Sequence, residues 1–166
     1  MSKNLLIVGS ARRNGNTHKL ATYLATNADF DLIDLLDYNI GHFDYTHQNA
    51  NDDFIPLMRS ITTKYNTFIF ATPVYWYAMS GLMKTFFDRI SDLLKTEKDL
   101  GRTLRGKSMG MISCSDRDDR NKHFAEPFEL TADYLGMTWL GDAHGFLNVE
   151  GELSLEVSRR LDKFKS

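Results

Sequence analysis

Apolar residues in this chain follow two rhythms that alternate from end to end. Short, nearly continuous apolar runs fall at Asn4 to Val8, Phe30 to Leu36, Thr67 to Ala71, Gly106 to Ser113 and Met137 to Ala143. Runs this short, bounded by Gly, Pro or polar residues, predict strands buried on both faces, as in a parallel sheet. Asp31 and Asp34 interrupt the second run and put it near a sheet edge. Between the runs, apolar residues recur at helical spacing. The stripes are Leu20, Ala21, Leu24 and Ala28; Phe54, Leu57, Met58, Ile61 and Tyr65; Leu82, Met83, Phe86, Phe87, Ile90, Leu93 and Leu94; Phe124, Phe128, Ala132 and Leu135; and Leu153, Val157, Leu161 and Phe164. Each lays one apolar face along a helix. Asn51-Asp52-Asp53 marks the second helix start, where acids complement the dipole and Pro56 fits only the first turn. Gly136 predicts a left-handed helix cap. Lys95 to Arg105 reads as a charged connector. Asp37 to Asn51 is a long loop without period, and such loops tend to carry function or cover an interface.

Strict strand–helix alternation predicts an α/β fold: a flavodoxin-like three-layer sandwich around a five-stranded parallel sheet of order 2-1-3-4-5. Ligands of such sheets sit beyond the strand carboxyl ends, at the switch point between strands one and three. Two unusual loops follow those two strands.

The first loop is Gly9-Ser10-Ala11-Arg12-Arg13-Asn14-Gly15-Asn16-Thr17. It holds no acid and opens a helix, whose N-terminal N–H groups suit an anion. Ser10, Asn16 and Thr17 can donate to phosphate oxygens, and Arg12 adds a charge-assisted contact. The competing reading is a capped helix start, with Asn14 or Asn16 as N-cap and both arginines solvated. Arg13 and His18 read as surface residues. The second loop, Thr72 to Gly81, offers Pro73 to fix the backbone and Tyr75 and Trp76 as aromatic faces for a flat ring. The competing reading packs these aromatics into the core or a subunit interface. That reading is preferred for Tyr77 and Met79 and is open for Trp76. A third loop, Ser113-Cys114-Ser115-Asp116, follows strand four, where hydroxyl and backbone donors suit the polar edge of a ring. Arg117 is placed to stabilise negative charge there, although residues beyond Asp116 also read as solvated surface. Cys114 reads as a small semi-buried filler, because no basic partner lies near it in sequence. His42 and His47 stand among Asp44, Asp52 and Asp53 in a spacing that matches no metal-ligand pattern, so a polar loop is expected.

A phosphate, a flat ring and polar ring edges describe flavin mononucleotide, a cofactor that carries its own redox chemistry. The first loop is neither Gly-x-Gly-x-x-Gly nor a triphosphate loop ending Gly-Lys-Ser/Thr. No Gly-x-Ser-x-Gly elbow occurs, and no acidic cluster follows strand one.

Composition narrows the classes further. At 166 residues, one domain spanning 1–166 is expected. The formal charge of −2 gives no footprint for nucleic acid. A single cysteine excludes an intrachain disulfide and a Cys-ligated cluster. No apolar run approaches membrane-spanning length, and the N-terminus lacks a secretory apolar stretch. No membrane association and a cytoplasmic location are therefore expected.

Two motifs carry a family resemblance. Gly9-Ser-Ala-Arg-Arg-Asn-Gly-Asn-Thr17 and Thr72-Pro-Val-Tyr-Trp-Tyr-Ala-Met-Ser-Gly-Leu-Met-Lys-Thr-Phe-Phe-Asp-Arg89 resemble the NAD(P)H-dependent FMN reductases of the flavodoxin-like superfamily, as does the Asn51-Asp52-Asp53 helix start. The resemblance implies that Ser10, Arg12, Asn16 and Thr17 bind the FMN phosphate. It implies that Pro73, Val74, Tyr75 and Trp76 line the isoalloxazine. It also implies a homodimer or homotetramer, with Lys84, Asp88 and Arg89 serving packing and the interface. Assignment of Ser113, Cys114, Ser115 and Asp116 to the flavin rests on position alone. Related iron–sulfur flavoproteins carry a compact Cys motif before the Asp-Asp helix; Asn39 to His47 has none, so no cluster is expected. The implied activity is transfer of hydride or electrons from NADPH or NADH through FMN to a small-molecule acceptor: a quinone, an azo or nitro compound, or free flavin. The alternatives are a flavodoxin-type electron carrier without direct NAD(P)H oxidation, and a flavin-free binding module.

Overall fold

The computed structural model describes residues 4–165. Five strands, β1 (Asn4–Val8), β2 (Phe30–Asp34), β3 (Thr67–Pro73), β4 (Ser108–Cys114) and β5 (Thr138–Gly145), form one sheet of order β2-β1-β3-β4-β5. All neighbours are parallel, with Leu6 level with Leu32 on one side and Ile69 on the other. The expected topology is the observed one.

Alternation along the strands divides the core. Leu5, Ile7, Phe68, Phe70, Met109 and Met111 point to one face. There they meet α2 (Phe54–Lys64), α3 (Gly81–Lys95) and α5 (Glu126–Leu135). Leu6, Val8, Ile69, Ala71, Ile112 and Cys114 point to the other, against α1 (Asn16–Asn27) and α6 (Leu155–Asp162). Both faces of every central strand are thus covered, which is why these strands read as unbroken apolar runs. Rings of Phe54, Phe70, Phe86, Phe87 and Phe128 stack edge-on or tilted between α2, α3, α5 and the sheet.

Several boundaries differ from the sequence expectation. The second strand stops at Asp34, whose carboxylate caps a short 3-10 turn over Leu35–Asp37 by accepting from Leu36 N at 2.9 Å. The second helix begins at Phe54 with Asp53 at the N-cap position, so Pro56 falls in the first turn. The charged connector contains a short helix, α4 (Lys98–Arg102). Strand five runs on through His144 and Gly145, and it slips register against β4 between Met109 and Met111 near Gly141, which has φ +87°. The last helix starts after Ser154, which accepts from Val157 N, while Leu153 pairs with Leu147 in an isolated bridge. Gly136 caps α5 at φ +70°, as expected.

No helix among the described residues is long and apolar enough to cross a membrane.

Candidate functional site

Backbone bonds draw the three loops together at the carboxyl end of the sheet. Gly9 N donates to Ala71 O at 2.8 Å, and Val74 N donates to Cys114 O at 2.8 Å. Ser80 is buried; its hydroxyl donates to Gly9 O at 2.6 Å and accepts from Met83 N at 3.1 Å, capping α3. Ser80 N in turn donates to Thr72 Oγ1 at 3.0 Å. One serine therefore ties the end of β1, the end of β3 and the start of α3. Gly9 is required there, since a Cβ would lie 2.9 Å from Met83 Cε and 3.2 Å from Met83 Cα.

The N-terminus of α1 lies open at this junction. Its N-cap is Gly15, not Asn14 or Asn16, and no side chain caps it among the described residues. Its first turn holds no acid. Free N–H groups and the positive end of the dipole make an anion site. Ser10 and Thr17 are buried beside it, and Asn16 is half-buried. The two arginines differ. Arg13 pairs with Asp37 and donates to Leu36 O, whereas the exposed Arg12 makes no ion pair among the described residues. His18 meets only Thr22 of its own helix.

Beneath the loop lies Cys114. Burial pushes its thiol up to about 11, against smaller opposing effects of a Thr17 hydrogen bond and the Arg12 charge. The thiol is buried as the sequence's filler reading expects, and the same two causes place the first loop near the end of β4.

Behind Pro73, the chain makes a two-residue turn. Tyr75 N donates to Ala78 O at 2.9 Å and Ala78 N to Tyr75 O at 3.1 Å. The central residues Trp76 and Tyr77 have φ of +49° and +65°. Such turns normally use Asn-Gly, and each bulky residue held there costs about 1–2 kcal/mol. The strain holds two aromatics out from the surface, Trp76 at 93% exposure and Tyr77 at 74%. Tyr77 is thus not in the core of the chain, because its left-handed backbone turns it away from the sheet, and of the two packings the sequence suggested only the subunit interface stays open for it. Met79 does pack against the core. A cavity of about 420 Å³ opens between this turn and the start of α5, walled by Tyr77, Met79, Phe124 and Pro127 with Lys84 and His123 at its margin.

The third loop is held from behind by His144. Its Nδ1 lies 2.9 Å from Ser113 Oγ; its Nε2 lies 3.1 Å from both Ser115 Oγ and the Arg117 carbonyl. A carbonyl only accepts, so Nε2 carries the proton and Nδ1 accepts from Ser113. Ser113 is fully buried and its oxygen also accepts from Arg120, so its hydroxyl is committed inside the protein. Ser115 is half-buried and Asp116 exposed at the loop surface. Arg117 faces Asp116 and Asp119. Sequence reading gave His144 and Ser80 no role, because one ends a strand and the other's part in the second loop depends on a bond to Gly9 that no local pattern shows.

Burial holds the His144 imidazole below its usual pKa, with the charges of Arg120 and Arg160 adding to that and the Arg117 carbonyl and Asp118 opposing it. A depressed folded value means the neutral ring stabilises the fold fully above the ordinary imidazole range, and that contribution is lost as pH falls through the lowered folded value. The urea midpoint is expected to drop between about pH 7.5 and about pH 5.5, and His144→Gln is expected to shrink that drop.

The histidines of the long loop do not converge: His42 Nδ1 meets Thr85 Oγ1 at 3.2 Å and His47 faces Asp92. Among the described residues no group of three or more His, Cys, Asp or Glu is arranged to hold a metal.

Residues 2–148 match the sequence profile of the NADPH-dependent FMN reductases. The chain is 28% identical over 161 residues to YwqN of Bacillus subtilis (strain 168), assigned as an NAD(P)H-dependent FMN-containing oxidoreductase; the match covers 91% of this chain and 88% of YwqN. An iron–sulfur flavoprotein of Clostridioides difficile (strain 630) is 29% identical over 107 residues, 54% of this chain and 46% of that protein. The solved structure of the Trp repressor binding protein from Bacillus subtilis superposes with a TM-score of 0.75 at 26% identity, covering 98% of both chains. The chain belongs to the NADPH-dependent FMN reductase family. It is an oxidoreductase whose cofactor is FMN.

Proposed function

We propose that this member of the NADPH-dependent FMN reductases seats the FMN phosphate in the Gly9–Thr17 loop and the isoalloxazine against Pro73–Trp76, and uses NADPH or NADH to reduce a small-molecule acceptor. The observation that carries this reading is the open start of α1: an uncapped, acid-free helix N-terminus with Arg12 in no ion pair among the described residues, following β1, which is paired to the strand that leads into the strained aromatic turn. The residues present fit a phosphomonoester. Ser10, Thr17 and Asn16 offer donors, the helix N–H groups offer more, and Arg12 offers charge.

FMN, when bound, supplies hydride and electron transfer between donor and acceptor. The chain's share is to hold and to exclude. Pro73, Val74 and Tyr75 form the floor beside β3, and Trp76 stands free to cover a ring face. Ser115 and Asp116 edge the same region, with Ser113 and Cys114 fixing that loop from below. Arg117, which lies beside Asp116, suits negative charge that develops there on reduction. The 420 Å³ apolar cleft between Tyr77 and Phe124 is the place for a planar nicotinamide or an aromatic acceptor, such as a quinone, an azo or nitro compound, or free flavin. We assign the same chain to one domain, a cytoplasmic location and a homodimer or homotetramer, in which the exposed Trp76 and Tyr77 find cover.

The protein as purified is expected to show a flavin spectrum near one FMN per chain, and anaerobic addition of NADPH or NADH to bleach it. Bleaching only with a separate reductase present would instead make it an electron carrier. Trp76→Ala is expected to raise KM for an aromatic acceptor more than it lowers FMN content.

A further inference from the structure

The third loop is pinned at both ends and tied in the middle to one buried side chain. At its start, Ser115 N donates to Gly145 O at 3.3 Å. At its far end, Arg160 of α6 donates to both carboxylate oxygens of Asp118, at 2.9 and 2.8 Å, and to His144 O at 3.3 Å. Arg120 pairs with Asp142 of β5. Residues 116–119 between these pins are all exposed, and Asp118, Arg120, His144 and Arg160 line an open cleft of about 380 Å³. Polar bonds, not apolar packing, therefore set the course of the loop.

Those bonds form one directed chain that ends on a backbone carbonyl. Arg120 Nη1 donates to Ser113 Oγ at 3.2 Å, and Ser113 donates to His144 Nδ1 at 2.9 Å. His144, only 6% exposed, donates from Nε2 to the Arg117 carbonyl at 3.1 Å. Ser115 Oγ donates to the same carbonyl at 2.6 Å. A peptide unit is planar and trans, so a carbonyl drawn toward His144 turns the next N–H, that of Asp118, the opposite way. The backbone N–H groups of Asp116, Arg117 and Asp118 donate to no group among the described residues. The loop thus spends its acceptor on His144 and keeps its donors. The Val74 N to Cys114 O bond sets the start of this loop beside the aromatic one.

We propose that His144 is a positioning residue for the flavin: by holding the Arg117 carbonyl, it keeps these N–H groups at the polar edge of the isoalloxazine. The proposal rests on the reading that the Ser113–Asp116 loop edges the ring. His144 acts here through the backbone it orients and touches no reacting atom. Ser113, whose hydroxyl is committed inward, acts through His144 in turn. Donors held in place need no reorganisation when negative charge develops at the ring, so they favour the reduced flavin over the oxidised one.

The test is fluorescence titration of the FMN-free full chain with FMN and with riboflavin, joined to an anaerobic redox titration of the FMN-bound protein. Two variants divide the imidazole. Glutamine carries an amide N–H close to the Nε2 position and can still donate to Arg117 O, whereas asparagine reaches only as far as Nδ1 and Ser113. His144→Asn is expected to weaken FMN and riboflavin by the same factor, about tenfold, as hydrogen bonds at the ring edge are lost. It should also shift the midpoint potential of bound FMN to lower values. His144→Gln should restore most of both. Equal loss for the two flavins separates this role from a phosphate contact, and the shift in potential separates it from a merely structural one. If His144→Asn fails to fold by circular dichroism, Ser113→Ala removes the hydroxyl that fixes the ring from the strand side. It should then give the same pattern at about threefold or more. A native protein that binds no FMN would remove the reading of the three loops, and the proposal with it. Native binding of FMN, together with unchanged affinity or unchanged potential in folded His144→Asn, or in Ser113→Ala where it stands in, would overturn the proposal alone. So would a loss that His144→Gln shares in full.

Discussion

Arg89→Met is expected to cost about 3–5 kcal/mol of folding stability, the effect of stranding buried charges. The side chain is 1% exposed and packs over the Phe54 ring at 5.0 Å. It also holds the loop from Gly41 to Asp52 against α3 through two carbonyls and Asp52. Methionine keeps much of the volume but leaves Asp52 and Asp92 without a cation. Given that domains are stable by about 5–15 kcal/mol in total, a shift of the urea midpoint by more than about 1 M is expected. Adding Asp52→Asn and Asp92→Asn should recover part of the loss, because the stranded charges go with them. Lys84→Ala, which breaks an exposed pair with Asp88, serves as control and should move stability by less than about 1 kcal/mol. The same network governs acid sensitivity. Burial works against the charge of Asp52, but donors from Arg89, Phe54 and Gly41 outweigh it and hold the carboxyl below its usual value. That stabilisation is present above the ordinary carboxylate pKa and is lost as pH falls through the lowered one.

Arg12→Ala is expected to weaken FMN binding about 10- to 100-fold, from the loss of about 1.5–3 kcal/mol in a charge-assisted contact. Arg12 is exposed and makes no ion pair among the described residues, so its removal should leave the urea midpoint nearly unchanged. That separation of affinity from stability distinguishes a cradle residue from a structural one. Arg13→Ala is the matched control, since Arg13 already pairs with Asp37. Fluorescence titration of the FMN-free protein with FMN, and with riboflavin, reads the effect directly. The loss should appear for FMN and vanish for riboflavin, which carries no phosphate. Equal FMN affinity in both variants would remove Arg12 from the cradle.

The glycine and serine of the two motifs acquire a joint meaning only in three dimensions. Gly9 and Ser80 are 71 residues apart, yet Ser80 Oγ donates to Gly9 O. In sequence Ser80 lies in the second loop; the fold makes it the N-cap of α3, and its bond to Gly9 needs β1 and β3 side by side. Tyr77 shows how backbone conformation chooses between two such readings. Its aromatic character suggested the core or a subunit interface; two consecutive positive φ angles take it out of the core, and no local pattern announces a left-handed Trp-Tyr pair. His144 was masked by its place at a strand end, and its three partners come from residues 27 to 31 positions earlier.

What the sequence determined by itself was the architecture and the location of the loops. Alternating apolar runs and stripes are local consequences of a 2-residue and a 3.6-residue period, and they suffice for five parallel strands between two helix layers. The switch point then follows from topology, so Gly9–Thr17 and Pro73–Trp76 could be placed together without coordinates. Tertiary structure alone decided which polar groups are spent and which are free. Among the described residues, Arg12 without an ion pair beside a paired Arg13, Ser113 turned inward to His144, and Asp92 Oδ1 without a hydrogen-bond partner beside Arg89 are all outcomes of long-range pairing. Hydrophobic periodicity carries the fold because it repeats along the chain; the partner of a single charge does not repeat, and only the folded packing supplies it.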